Sequence, residues 1–266
     1  MTDEDLRAVA VLVATLGAAL AKRSFRTHAR TTAKAGFEIV TEVDLAVERL
    51  VRDELQARVT GVVVIGEEGG REDSGPLPHD ALVAFVDPID GTTNYAHGHP
   101  FYATSIGFSR GGRPVAGAVV APSLDLVWSA GAAGPALRNE VVCTATDTHR
   151  LEEALLATGF PYDRRTSTDD NLATFAAMKK RAQGIRRCGS AAIDLCLVAD
   201  GTYDGYWERK LMPWDVAAGV LIAERAGALI TTDTGEPFVL TEERCHVLAA
   251  NPRLHAEMLT VTGRRS

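Results

Sequence analysis

Val86-Asp87-Pro88-Ile89-Asp90-Gly91-Thr92-Thr93-Asn94 is the stretch around which this chain is organised. An apolar run, Ala81-Leu82-Val83-Ala84-Phe85-Val86, leads directly into two carboxylates three residues apart. Such a run reads as a buried strand, and Pro88 cannot donate to a central ladder, so the strand is expected to end at Asp87. Asp90-Gly91 then turns the chain, and Thr92 or Thr93 is expected to cap a short helix. Two acids are thereby set at a strand's carboxyl end, beside the N–H groups of a helix start. Like charges held together favour a cation between them. Free helix-start N–H groups favour an anion such as phosphate. Taken alone, Asp-Pro-x-Asp-Gly reads first as a surface turn, because turn chemistry explains every residue in it.

The neighbouring segments change that balance. Gly61-Val62-Val63-Val64-Ile65-Gly66 is a short buried strand that ends in Glu67-Glu68-Gly69-Gly70, again an apolar strand with an acid at its carboxyl end. In layered α/β folds, sites collect at those ends. Upstream, Leu6 to Phe25 carries apolar residues at helical spacing and finishes on Lys22-Arg23, cations suited to a helix C-terminus. Thr27 to Phe37 reads as a loop or hairpin containing Lys34. Thr41 caps a helix over Glu42 to Arg58, with Asp44 at the capping-box position, where it also complements the helix N-terminus.

Downstream, Tyr102 to Ser109, Val115 to Ala121 and Leu126 to Ala130 form an antiparallel meander with Gly111-Gly112 and Pro122-Ser123 at its turns. His97-Gly98-His99 reads as a loop feature, not a metal pair. From about Glu140 strands alternate with helices. Ala154–Thr158, Gly184–Arg187, Tyr203–Glu208, Ala228–Thr231 and Val247–Ala249 are the strands. Thr168–Lys180, Ala191–Ala199 behind a Ser190 cap, Pro213–Ala226, and a last helix from Asn251-Pro252 lie among them. The expected halves are 1–138 and 139–266, packed as one unit.

The chain has 266 residues and a formal net charge of −7 with a pI near 5.5, which argues against nonspecific binding to nucleic acid or anionic membranes. An acidic protein that handles phosphate needs metals to offset the charge. Cys143, Cys188, Cys196 and Cys245 form no C-x-x-C pair and read as buried free thiols of a reducing compartment. No apolar run approaches the roughly 20 residues that span a bilayer. The acidic N-terminus is unlike a secretory signal, so a cytoplasmic protein is expected.

The candidate acids are therefore Asp44, Glu67, Asp87, Asp90, Glu208 and Asp215. Asp215 lies in the first turn of its helix, where a carboxylate serves the helix dipole or a metal equally well. Oxygen ligands of this kind suit Mg²⁺, which takes few carboxylates plus waters and substrate phosphate. Sequence spacing does not show that Glu67 and Asp215 meet.

Gly66-Glu67-Glu68, Asp87 to Asn94 and Trp214-Asp215-Val216-Ala217-Ala218-Gly219 together resemble the inositol monophosphatase family. Asn94-Tyr95-Ala96-His97-Gly98, Gly159-Phe160-Pro161-Tyr162 and Arg187-Cys188-Gly189-Ser190-Ala191-Ala192 support the match, which runs from about Lys34 to the final helix. The resemblance implies a layered α/β/α/β/α fold, a homodimer, and Mg²⁺-dependent, Li⁺-sensitive hydrolysis of phosphomonoesters. Carried over by motif, Glu67, Asp87 and the Ile89 carbonyl hold a first metal, and Asp87, Asp90 and Asp215 a second. Glu67 with waters holds a weaker third. Asp44 and Thr92 orient the attacking water, and Gly91 and Thr92 N–H groups take the phosphate. Asp90, Ala191 and Glu208 contact substrate hydroxyls, and Lys34 lies on a loop near the metals.

The implied substrate is a small polyol monophosphate, inositol-1-phosphate first. Histidinol phosphate, fructose-1,6-bisphosphate and phosphoadenosine phosphate are alternatives, since Glu208 suits either sugar hydroxyls or an ammonium. A non-catalytic interaction protein with the same fold is the alternative from another class. One departure stands out: many relatives have Asn-Gly where this chain has Asn139-Glu140, which brings the geometry of that turn into question.

Overall fold

Helix α1 (Asp3–Ser24) starts where Thr2 and Asp5 form a reciprocal capping box, with the Thr2 hydroxyl accepting from the Asp5 N–H at 3.1 Å. Its Leu6, Ala10, Val13, Ala14, Gly17, Ala18 and Ala21 recur at three- and four-residue steps and are buried together. Gly17 permits close approach to helix α2 (Glu42–Arg58), since a Cβ there would lie 3.0 Å from Val51. The structure, a computed structural model, describes residues 1–27, 31–33, 39–71, 75 and 77–263. Strands β1 (Thr31–Ala33) and β2 (Ile39–Thr41) pair antiparallel. Lys34 and Gly36, the loop between them in the sequence reading, lie outside the described residues.

A seven-stranded sheet follows in chain order: β3 (Val63–Gly66), β4 (Leu82–Asp90), β5 (Ala103–Arg110), β6 (Arg113–Ala121), β7 (Leu126–Gly131), β8 (Leu137–Arg138) and β9 (Val141–Val142). Only the β3–β4 pairing in it is parallel. The short helix α3 (Thr92–Ala96) leaves the end of β4. The second sheet is built from β10 (Leu155–Thr158), β11 (Gly184–Arg186), β12 (Gly205–Leu211), β13 (Leu229–Thr231) and β14 (Cys245–Ala250), in the order β11-β10-β12-β14-β13. Helices α4 (Leu172–Lys179), α5 (Ala191–Ala199), α6 (Pro213–Arg225) and α7 (Pro252–Thr262) complete the chain.

Three apolar clusters define the layers. Helices α1 and α2 bury Val13, Val47, Val51 and Leu55 against Val86, Ile106 and Ala118 of the large sheet. Helices α5 and α6 lie between the two sheets, with Leu195, Val216 and Leu221 meeting Phe85, Val119, Tyr206 and Val247. Helix α7 covers the outer face of the small sheet through Leu254 and Met258 against Trp207 and Leu248, with Met178 of α4 in the same cluster. The result is the expected α/β/α/β/α stack. Both faces of β4, β5 and β6 are covered, which is why these strands are apolar almost without alternation. Gly107 is required there, because a Cβ on it would sit 2.5 Å from Ala217 of α6.

Three expectations need correction. Strand β4 does not stop at Asp87 but runs through Pro88 to Asp90. Helix α4 begins at Leu172 instead of Thr168, because Asn171 adopts a left-handed φ of 66°. Its side chain instead donates to Gly159 O at 2.7 Å and accepts from Trp207 Nε1 at 2.8 Å. Among the cysteines only Cys196 is fully buried; all four are free thiols, but Cys143, Cys188 and Cys245 are partly exposed.

The Asn139-Glu140 turn keeps its hairpin geometry despite lacking glycine. Both residues take positive φ, 49° and 63°, as a two-residue β8–β9 connection demands, and Asn139 Oδ1 accepts from Val127 N at 2.8 Å. Glu140 is therefore in a conformation that costs a side chain about 1–2 kcal/mol. Its contact with Arg7 is long, at 3.6 Å, and its own side chain is 68% exposed, so the pair is worth little. Glu140→Gly is expected to raise stability by about 1 kcal/mol in urea unfolding; a less stable variant would show that the Arg7 contact outweighs the backbone.

Candidate active site

The end of β4 gathers two acids because its ladder is irregular. Pairing with β5 passes from Asp87↔Ser105 to Asp90↔Ala103, three residues against two. In a regular strand, positions three apart face opposite sides; one extra residue brings Asp87 and Asp90 to the same side. Pro88 is tolerated because β3 stops opposite Val86 and makes no demand on its nitrogen. The Pro88 carbonyl accepts from Thr104 Oγ1 at 2.9 Å. Gly91, with φ 92°, turns the chain into α3, whose N-cap carries no side-chain bond. A Cβ at Gly91 would meet Phe101 O at 3.0 Å. Thr92 is thus the first helical residue and not the cap expected of it.

Asp44 and Thr92 meet, although 48 positions apart. Thr92 Oγ1 lies 3.1 Å from Asp44 Oδ1 and 3.0 Å from the Ile89 carbonyl. Asp44 Oδ2 accepts from Thr41 N at 2.9 Å and from the Thr41 hydroxyl, so its capping box and its bond to Thr92 use different oxygens. The capping bond and the contact with Thr92 therefore coexist.

Glu67 follows β3 directly, its N–H bonded to Val86 O at 3.1 Å. The turn behind it is held by Glu48, whose carboxylate accepts from Glu68 N at 2.7 Å and Gly69 N at 2.8 Å. Gly66 leaves room for that carboxylate, since a Cβ there would lie 2.3 Å from it. Asp215 is carried in by the first turn of α6, where Oδ2 accepts from Met212 N at 2.7 Å. Asp90 is fastened across the molecule to the start of α5, accepting from Ser190 Oγ at 2.5 Å and Ala192 N at 2.7 Å. Glu67, Asp87, Ile89, Asp90, Gly91, Thr92, Ala191, Glu208 and Asp215 line one cavity. Every residue singled out for metal or substrate is therefore on its wall, and Asp44 lies behind Thr92.

This wall crowds buried carboxylates together, which raises their pKa. Asp87 is 2% exposed, and burial first, then the charges of Glu67, Asp90, Asp215 and Asp44, push its carboxyl well above the usual range. Burial with Asp90 and Glu67 does the same to Asp215. Burial raises Asp90 to about 6 against the lowering effect of its bonds to Ser190, Ala192 and Ala191. Asp87 Oδ1 is buried and has no hydrogen-bond partner, an orphaned acceptor that a cation would satisfy. Among the described residues no three acidic, histidine or cysteine side chains stand together closely enough to hold a metal ion by themselves.

Glu208 stands on β12, with Tyr206 donating to its Oε2 at 2.5 Å. Burial raises it to about 7, opposed by that bond and by Arg187. It has space only because residue 159 is glycine; a Cβ there would be 2.1 Å from its carboxylate.

Several contributors escaped the sequence reading. Glu48 carried a legible signal: Asp44, Glu48 and Arg52 are spaced by four along a helix whose Val47, Val51 and Leu55 are buried, and polar residues on a buried stripe have a purpose. Asn94 donates to Phe101 O at 2.7 Å and Cys188 O at 2.8 Å, tying α3 to the second half, a link that no local pattern announces. Lys210, Arg187 and Arg244 also line the cavity. His97 and His99 are exposed loop residues, as expected.

Compared with known proteins, residues 2–264 match the profile of the inositol monophosphatase family. Inositol-1-monophosphatase SuhB of Mycobacterium tuberculosis is 40% identical over 236 residues, covering 85% of this chain and 78% of its own. A fructose-1,6-bisphosphatase/inositol-1-monophosphatase of Aquifex aeolicus is 35% identical over 225 residues, covering 84% and 81%. The solved inositol monophosphatase of Anabaena superposes with a TM-score of 0.86 at 33% identity, covering 97% of this chain and 95% of that one.

Proposed function

Because this chain belongs to the inositol monophosphatase family, metal-dependent phosphatases of small phosphate esters, we infer that it hydrolyses a polyol monophosphate, inositol-1-phosphate first among the candidates. Glu67, Asp87 and the Ile89 carbonyl would hold one Mg²⁺ and Asp87, Asp90 and Asp215 a second, with Glu67 and waters at a weaker third. Ions bound there would supply a lowered pKa for water and neutralisation of charge on the phosphate oxygens. The observation that carries this reading is the buried Asp87 carboxylate, crowded by four other acids and left with an unpartnered oxygen.

The remaining work falls to the chain's own groups. Asp44 accepts the Thr92 proton, which leaves the Thr92 oxygen as an acceptor that fixes the orientation of the attacking water. Gly91 and Thr92 N–H groups hold the phosphate, and Asp90, Ala191 and Glu208 contact the polyol hydroxyls. A nucleophilic serine or cysteine is not required. A homodimer belongs to the same reading, on family likeness.

Release of phosphate from inositol-1-phosphate, histidinol phosphate, fructose-1,6-bisphosphate and phosphoadenosine phosphate, each with Mg²⁺ and with chelator, tests it. Mg²⁺-dependent release, fastest from inositol-1-phosphate, is expected. A faster rate on another of the four would reassign the substrate, and no release from any would favour the interaction protein over the enzyme.

A further inference from the structure

The cavity carries charges of both signs. Besides its acids, Arg187, Lys210 and Arg244 line it. Lys210 is set apart by its backbone: its φ of 58° lies in the left-handed region. It sits where the pairing of β12 with β14 passes from Glu208↔Val247 to Leu211↔Cys245, three residues against two. A bulge of this kind re-aims side chains, and glycine is the residue that accommodates it without strain.

The bulge separates two neighbouring cations. Arg209 reaches Asp169 at 2.8 Å, Asp233 at 2.8 Å and the Thr262 carbonyl at 3.2 Å. Lys210 lines the cavity, its Nζ 3.0 Å from Asp163 Oδ2 and 2.7 Å from Ser167 Oγ. The Asp163 side chain is 42% exposed, and an ion pair with so solvated a partner is weak recompense for a disfavoured backbone. An ammonium has three N–H donors, and Asp163 and Ser167 occupy two. The third remains for a ligand.

We propose that Lys210 is a specificity-determining residue that takes a second anionic group, phosphate or carboxylate, on a substrate whose phosphoester lies among the acids. Asp163 and Ser167 hold the ammonium in place, and Arg187 and Arg244 add positive potential on the same wall. A polyol monophosphate leaves the third donor to water, whereas a substrate with two anionic groups satisfies it. This rests on the phosphomonoesterase reading above and adds to it a preference among substrates.

The full chain with Mg²⁺ is assayed on fructose-1,6-bisphosphate and inositol-1-phosphate, as parent, Lys210→Gln and Asp163→Asn. Lys210→Gln is expected to lower the bisphosphate-to-monophosphate ratio of kcat/KM by roughly 10- to 100-fold, mostly through KM, the scale of a lost charge-assisted hydrogen bond. Asp163→Asn, which keeps the lysine and frees a donor, is expected to hold or raise that ratio. An unchanged ratio in Lys210→Gln overturns the proposal. So does an equal fall on both substrates that Asp163→Asn reproduces, since Lys210 would then only fasten the loop bearing Asp163. Calorimetric binding of the two compounds to the same proteins gives the ratio without turnover. A parent that hydrolyses neither compound would sink the enzyme reading alone, and the binding ratio would still decide Lys210.

Discussion

Asp87→Asn is expected to lower turnover by ~10³-fold or more, the upper range for loss of one preorganised electrostatic group, while making the metal-free protein more stable at neutral pH. Asp87 is the only side chain assigned to both principal metals, so neutralising it weakens both sites. The gain in stability follows from linkage. In the folded, metal-free protein Asp87 has a raised pKa, so folding binds a proton there more tightly than the unfolded chain does. That contribution is fully present below the ordinary value of 3.8 and is lost as pH rises through the raised value. Asp90, raised to about 6, acts in the same direction. In chelator the parent's melting temperature should therefore fall as pH rises from about 4 to about 7, and Mg²⁺ should restore more of it at the upper end. Asn at position 87 should flatten that fall. A variant that melts like the parent in chelator and keeps near-parental turnover with Mg²⁺ would remove Asp87 from the metal site.

Thr92→Val is expected to cut kcat by ~10²-fold or more, the scale of positioned proton-transfer groups. The loss should exceed that in substrate binding, because orientation of the attacking water matters mainly in the transition state. Mg²⁺ affinity should change little, since Thr92 supplies no metal ligand in this scheme. The variant should also lose about 1–3 kcal/mol of stability, because Asp44, buried at 0% exposure, keeps Thr41 on one oxygen and loses Thr92 on the other. A helix-capping role predicts a stability change with turnover intact. The structure argues against capping, since Gly91 holds that position without any side-chain bond. Unchanged kcat, measured beside Mg²⁺ affinity and melting temperature on one preparation, would dismiss the Asp44–Thr92 pair as a catalytic device.

How much of this was legible in advance differs from one residue to the next. Helices α1, α2, α5 and α6 and the β5–β7 meander could be read from periodicity and caps, because those signals are local: Thr41 reaches only to Asp44, and Ser190 only to Ile193. The acids at the ends of β3 and β4 were equally visible, since an apolar run that stops at a carboxylate needs no partner to be noticed. Matching the motifs to a family then assigned roles that spacing could not.

What only the tertiary structure decided depends on contacts between distant segments. The continuation of β4 through Pro88 depends on β3 ending opposite Val86 and on Thr104 taking the proline carbonyl. The union of Asp44 with Thr92, of Asp90 with Ser190, and of Asn94 with Cys188 spans 48 to 100 positions of chain. The left-handed backbone at Lys210 runs against what a lysine favours alone and sits in the β12–β14 bulge, whereas Asn171 tolerates that conformation and is held in it by bonds to Gly159 and Trp207. Local sequence determined which elements form and where their acids stand. Burial and long-range pairing, which no short window contains, determined which of those acids share a wall, and through desolvation and mutual repulsion raised their pKa.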